Sequence, residues 1–181
     1  MPAPTTDDLD IQDAWDNAPL RARWPSGLDN HFYINRLEVV PVEATGRGAA
    51  GRLLEVAAAE AVHACRLAAG GLEAHVLEPS ETMLGKARER MAEFDVRLRL
   101  VRGIAEALPY ADGSFDRVLI DAAIDHLSAP DLGVREMVRV LTPDGRFVVS
   151  FVNYASLSVR LSRALYRLHR WLVPSRREVH R

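Results

Sequence analysis

GRLLEVAAAEA, residues 51–61, is the stretch whose reading decides the fold. Leu53, Leu54 and Val56 form a short apolar run, the pattern of a strand buried on both faces. Glu55 interrupts that run one residue before a turn of small side chains, Ala57, Ala58, Ala59 and Ala61. Behind the turn, residues 60–67 (EAVHACRL) read as a helix with its apolar face inward. Strand, tight turn and helix in that order aim the N–H groups of a helix N-terminus past the C-terminal edge of a parallel sheet. Such an edge cradles a nucleotide-like ligand, and its turn is normally rich in glycine. Here the turn is alanine.

Downstream, strand and helix patterns alternate. Gly70-Gly71 stops the first helix, and residues 73–77 (EAHVL) predict a second strand ending at Glu78-Pro79. Ser80 then caps a helix through Met83, Ala87 and Met91. Glu81, Arg88, Glu89 and Arg90 fall largely outside its apolar stripe, as a solvated face would. Residues 96–101 (VRLRLV) alternate and predict the third strand. A loop over 103–113 contains Pro109 and the turn Asp112-Gly113. Residues 116–121 (DRVLID) predict the fourth strand, 130–141 a helix, 142–145 a turn, and 146–153 (RFVVSFVN) the fifth strand. Repeated βα units of this kind predict a parallel sheet with helices on both faces.

Upstream, an acidic helical turn or two over 7–15 and an amphipathic helix over about 28–40 predict an N-terminal helical cap. With its linker the cap occupies residues 1–50. The α/β core spans 51–153, and a basic amphipathic helix lies within 154–181. There Leu157, Leu161, Leu165, Leu168, Trp171 and Leu172 line one face, and Arg160, Arg163, Arg167 and Arg170 the other. That pattern suits an anionic membrane surface or a protein partner. It equally suits packing on the domain with the arginines in water.

The 181 residues are 48% hydrophobic with a formal charge of -2, enough for one domain with a sizeable core. No global field attracts nucleic acid, so no nucleic-acid partner is expected. Cys65 is the single cysteine; no intramolecular disulfide is possible, and its place in the first helix reads as a small core residue. The first ten residues, MPAPTTDDLD, lack the basic-then-apolar order of a signal peptide. No apolar run reaches the roughly 18 residues that span a bilayer. A cytoplasmic location is the expectation.

Three passages, taken together, resemble the class I S-adenosylmethionine-dependent methyltransferases of the type 11 group. LLEVAAAEA matches the family's strand, acidic residue and glycine turn; HVLEPSETMLGKARER matches its second strand, acidic residue and Pro-Ser helix start. EALPYADGSFDRVLIDAAIDHL followed by REMVRVLTPDGRFVVS matches its third loop, fourth strand, next helix and fifth strand. The first passage alone would fit any Rossmann-like protein, but the order and spacing of all three, over more than half the chain, are specific. The resemblance implies an α/β, Rossmann-like, mostly parallel sheet with helices on both faces, S-adenosylmethionine as cofactor, and a small-molecule or lipid-like methyl acceptor.

It also assigns residues. Cofactor positions are Glu55, Ala57, Ala59 and Ala61 in the first passage, Glu78 and Met83 in the second, and Ile104, Ala105, Glu106 and Asp121 in the third. Glu78 also stands about 20 residues past the first turn, where a ribose-binding acid belongs; its other reading is a helix-flanking charge. Met83 packs on the adenine in relatives, or is core. Relatives have an acidic residue where this chain has Ile104, so an adenine amino contact is missing; Glu106 either substitutes or is a solvated loop charge. Asp121, Ala122, Asp125 and His126 occupy the rim where the acceptor arrives. Asp121, Asp125 or His126 is the candidate general base, unless His126 simply packs. No zinc pattern or serine nucleophile elbow occurs.

Two departures bear on activity. A left-handed Ala59 would cost about 1 kcal/mol, and a methyl in the ligand's space roughly 1–3 kcal/mol more, together about ten- to a thousandfold in affinity. The chain also shows no strand pattern after Asn153, so the family's last two strands are expected to be missing, the chain being either short or truncated relative to its relatives. The fifth strand is then an edge open to a homodimer, or is covered by the terminal helix. Three readings follow: an active methyltransferase, a degenerate member serving as a binding or regulatory partner, and a nicotinamide-dependent oxidoreductase, whose glycine fingerprint is absent.

Overall fold

β1 (Arg52–Val56) runs through the middle of the described sheet because its sequence suits burial on both faces. Leu53, Leu54 and Val56 have no solvent exposure, and each fully buried aliphatic side chain contributes ~1.5–3 kcal/mol. The structure, a computed structural model, describes Ala44 and residues 50–151. Around β1 lie β2 (Glu73–Glu78), β3 (Arg99–Arg102), β4 (Phe115–Asp121) and β5 (Leu141–Ser150). The connecting helices are α1 (Val62–Ala69), α2 (Glu81–Phe94) and α3 (Pro130–Val140), with single 3-10 turns at Ala105–Ala107 and Ile124–His126.

The sheet order is β3-β2-β1-β4-β5 and every pairing is parallel. From β1 the chain builds outward to β3, then returns to β4 on the other side. The strand order therefore reverses between β1 and β4, and the loops leaving their carboxyl ends diverge there. Residue alternation splits the core. Leu53 packs with Ala64, Cys65 and Leu67 of α1 and Leu84 and Ala87 of α2. Leu54 and Val56 pack on the opposite face with Phe115, Val118, Ile120 and the α3 residues Met137 and Val140. The predicted helices on both faces are there.

Three boundaries differ from the expected ones, each for a physical reason. α1 begins at Val62 rather than at residue 60, because Ala61, its N-cap, is left-handed with φ 55°. β3 begins at Arg99 rather than at residue 96: Asp95 caps α2 in the left-handed region, and the Val96 N–H bonds back to Met91 O at 3.0 Å. Residues 142–145, expected as a free turn, are carried inside β5. Phe115 pairs with Leu141 and Arg117 with Arg146, so four residues bulge opposite Asp116 alone.

The loop after β3 is fastened to α3. Arg139 donates to Tyr110 O (2.8 Å), Leu108 O (3.1 Å) and Asp112 Oδ1 (2.7 Å), while Glu136 Oε2 accepts the Leu108 N–H at 3.0 Å. The LPYADGSFD passage thus has a structural reason for its shape. Gly133 lets α3 close on the same loop: a Cβ there would stand 2.7 Å from Leu127 Cδ1 and 3.4 Å from Ala105 Cβ. The expected N-terminal cap, the strand end at 152–153 and the basic helix within 154–181 lie outside the described residues. Among the described strands, β5 is an edge.

Candidate active site

The turn after β1 takes the conformation that glycine normally supplies, with alanine throughout. Ala57, Ala59 and Ala61 have φ of 52°, 48° and 55°. Each left-handed alanine costs about 1–2 kcal/mol, so other bonds must hold the turn. Those bonds are present. Ala57 N–H donates to Leu77 O at 2.8 Å, Ala61 N–H to Ala58 O at 2.8 Å, and Ala59 N–H to Glu78 Oε2 at 2.8 Å. The strain expected for Ala59 extends to three positions.

Glu78, at the end of β2, is buried, and its Oε1 also accepts the Ser80 N–H at 3.1 Å. A carboxylate carries about four acceptor sites, so these two amides do not exhaust it. One side chain both fastens the turn and sits where a ribose diol is expected. Ser80 Oγ accepts the Met83 N–H at 3.1 Å, which caps α2 as predicted. Met83 is half-buried, with Lys86 Nζ 3.8 Å from its Sδ. Ile104 is half-buried in extended backbone ahead of the 3-10 turn, with no carboxylate at that position.

Other expected cofactor residues face inward. Glu106 Oε1 accepts the Ala129 N–H at 3.0 Å, at the N-cap of α3. Ala105 is buried beside Gly133. Glu55 points beneath the turn: Oε2 accepts the Ala64 N–H at 2.8 Å and Oε1 lies 3.0 Å from His63 Nδ1. An anion there suits the partial positive charge of the α1 N-terminus. Burial, then the Glu55 charge, pushes the Cys65 thiol up to about 11.

At the rim, the Asp121 side chain is 5% exposed and turned toward His63, with Nε2 3.8 Å from its Oδ2. Ser150 Oγ donates to Asp121 Oδ1 and accepts the Ala122 N–H at 2.9 Å. Asp125 and His126 are exposed on the 3-10 turn that follows. His63 and Ser150 were not among the sequence candidates. Only the three-dimensional meeting of α1, β4 and β5 reveals them. Among the described residues no cluster of His, Cys, Asp or Glu could hold a metal ion. None of the described helices is long and apolar enough to cross a membrane.

Strand order, a turn in the glycine conformation and a carboxylate at the end of β2 define a Rossmann-like nucleotide cradle. Residues 54–149 match the family described as Methyltransferase domain, and the chain belongs to that family. It is similar to the demethylmenaquinone methyltransferase of Clavibacter sepedonicus, 34% identical over 131 residues, covering 72% of this chain and 52% of that protein. It is also similar to the ubiquinone/menaquinone biosynthesis C-methyltransferase UbiE of Methylobacterium nodulans, 44% identical over 101 residues, covering 54% of this chain and 40% of that protein. The chain thus spans about half or less of the length of these relatives. Among solved structures, YcgJ from Bacillus subtilis aligns with a TM-score of 0.62 at 29% identity, over 78% of this chain and 60% of that one. The [4+2]-cyclase SpnF aligns with a TM-score of 0.58 at 28% identity, over 63% and 44%.

Proposed function

We propose that the chain is an S-adenosylmethionine-dependent methyltransferase whose acceptor is a reduced quinone or a similar lipid-like ring. The observation that carries the cofactor reading is the turn itself: three alanines held at φ near 50°, clamped by the acid at the end of β2. Strained turns held by surrounding bonds cluster at ligand sites, which supports that reading. Glu78 would hold the ribose hydroxyls, Met83 and Ile104 would flank the adenine, and the amides of the turn would face the rest of the cofactor. Bound S-adenosylmethionine supplies an electrophilic methyl group on a positively charged sulfur. The chain's own residues then need only align the acceptor and remove its proton.

The acceptor reading is supported by relatives whose names specify demethylmenaquinone and ubiquinone/menaquinone. The second reading, a non-catalytic member, is favoured by the alanine methyl groups in the cradle. SpnF, similar in fold and named a cyclase, also shows that this fold serves other chemistry. One pair of measurements separates them. Titration calorimetry with S-adenosylhomocysteine should give a saturable heat, and methyl-labelled S-adenosylmethionine should transfer its label to 1,4-naphthoquinol, seen by mass spectrometry. Binding without transfer to naphthoquinol or other reduced quinones would leave the non-catalytic reading standing. Absence of heat at millimolar ligand would sink the cofactor assignment.

A further inference from the structure

The alanine turn is held a second time, at the residue beside the one that Glu78 holds. Glu60 stands between the left-handed Ala59 and Ala61, and its carboxylate turns toward α2. Arg90 Nη2 donates to Glu60 Oε2 at 2.8 Å, and Lys86 Nζ lies 3.9 Å from Oε1. Residues four apart on a helix share a face, so α2 presents both cations to this one carboxylate. Arg90 Nη1 also donates to Glu93 Oε2 at 2.7 Å, which fixes the guanidinium from its other side. The Arg90 and Glu60 side chains are 32% and 20% exposed, against 56% and 54% for Arg88 with Glu81. Arg88 thus keeps to the solvated face expected of this run, whereas Arg90 reaches the turn. Consecutive turn residues are gripped by one β2–α2 unit: Ala59 by Glu78 ahead of the helix, Glu60 by Arg90 within it.

We propose that Arg90 is a positioning residue for the cofactor: through Glu60 it latches the alanine turn in its left-handed form. The assignment rests on the methyltransferase reading above. Alanine disfavours positive φ, so a turn without the latch relaxes out of the cradle shape part of the time. Apparent affinity for a ligand falls with the fraction of chains that hold the receiving conformation. A glycine turn would make little demand on such a latch, because glycine enters positive φ about as readily as negative. The cations of α2 therefore answer a need that the alanines create. Lys86, farther from the carboxylate, contributes the smaller share.

Titration calorimetry of the full chain with S-adenosylhomocysteine reads the latch. Arg90→Met should weaken binding about fivefold, and Glu60→Ala by a similar factor. The double variant should lose no more than either single one, because both remove the same contact. With Ala57, Ala59 and Ala61 all replaced by glycine, Arg90→Met should change affinity by less than about twofold. An ion pair that only stabilises the fold would act alike in both backgrounds, and that result overturns the proposal. Unchanged affinity in Arg90→Met and Glu60→Ala overturns it too. Amide hydrogen exchange of the unliganded chain gives an independent reading. The Ala59 and Ala61 N–H groups, each bonded at 2.8 Å, should exchange about tenfold faster or more in Arg90→Met while the amides of β1 keep their rates. Equal acceleration in turn and strand, or none in the turn, counts against the latch. Should Arg90→Met fail to fold, Glu60→Ala carries both measurements. A native chain that gives no heat at millimolar ligand refutes the cofactor assignment, and the exchange rates still decide the role of Arg90.

Discussion

Ala57, Ala59 and Ala61 carry a conformation for which alanine has no preference, and the cost separates into two measurable parts. Left-handed strain of about 1–2 kcal/mol per alanine is offset by the extra chain entropy glycine loses on folding, roughly 0.5–1 kcal/mol. Replacing all three by glycine should therefore raise stability by about 2 kcal/mol, read as a higher urea midpoint at unchanged slope. Crowding is the second part. Ala59→Gly with Ala61→Gly should tighten S-adenosylhomocysteine binding about tenfold or more if the methyl groups impede it. A stability gain with no affinity gain would mean the cradle already accommodates them. His75 poses a different residue-scale question. Its ring packs edge-on against Tyr110 and Phe115 at 5.6 and 5.0 Å, and burial lowers its pKa from the ordinary 6.5 despite the bond to Glu73. The folded chain keeps this ring neutral while the unfolded chain takes up a proton as pH falls through 6.5, so acid costs stability. His75→Phe should lose less thermal stability than the native chain between pH 7.5 and about pH 5. An identical loss in both would count against a neutral buried ring.

The elements were legible where local pattern dictates them and displaced where a long-range bond does. The apolar run at 53–56, the Ser80 cap and the βα alternation are short-range signals, and the structure keeps all of them. α1 lost its first two predicted residues because the turn demands a left-handed Ala61. β5 gained residues 141–145 because Leu141 pairs with Phe115. The loop over 103–113 stands out in the sequence for its likeness to relatives, yet its shape comes from α3. Arg139 and Glu136 hold Leu108, Tyr110 and Asp112 through charge-assisted hydrogen bonds. Charge-assisted hydrogen bonds contribute about 1.5–3 kcal/mol each in favourable settings, less at partly exposed ones. Arg139→Met should cost about 2 kcal/mol and speed amide hydrogen exchange of the loop well before that of β1. Uniform exchange across loop and sheet would contradict the clamp.

At the scale of the whole molecule, two cores grip one sheet, and Cys65 lies in the core shared by α1, α2 and β1. Its thiol has no solvent exposure, and its pKa is pushed up to about 11, so neither access nor thiolate is available in the folded chain. Reaction with a thiol reagent at pH 8 should be negligible without denaturant and should follow the global unfolding curve. Labelling well before the transition would show that α1 opens separately from the sheet. The reversal of strand order between β1 and β4 brings the alanine turn, Glu78 and the Asp121 rim to one edge of this sheet.

The sequence by itself determined the order of strands and helices, the apolar centre in β1, the cap at Ser80 and the place of Glu78. Each is a local matter of periodicity, turn chemistry or spacing along the chain. Only the tertiary structure decided which side chains meet. It placed Glu78 on the Ala59 amide, so the left-handed alanines have a clamp. It turned Glu55, Glu106 and Asp121 inward, where helix N-termini and buried partners take up their charge or their acceptor oxygens. It drew His63 and Ser150, 8 and 29 residues from their bonded partners Glu55 and Asp121, into one polar chain. Spacing along a sequence does not encode such meetings, because a parallel sheet brings distant segments together through crossovers whose lengths are set by their helices.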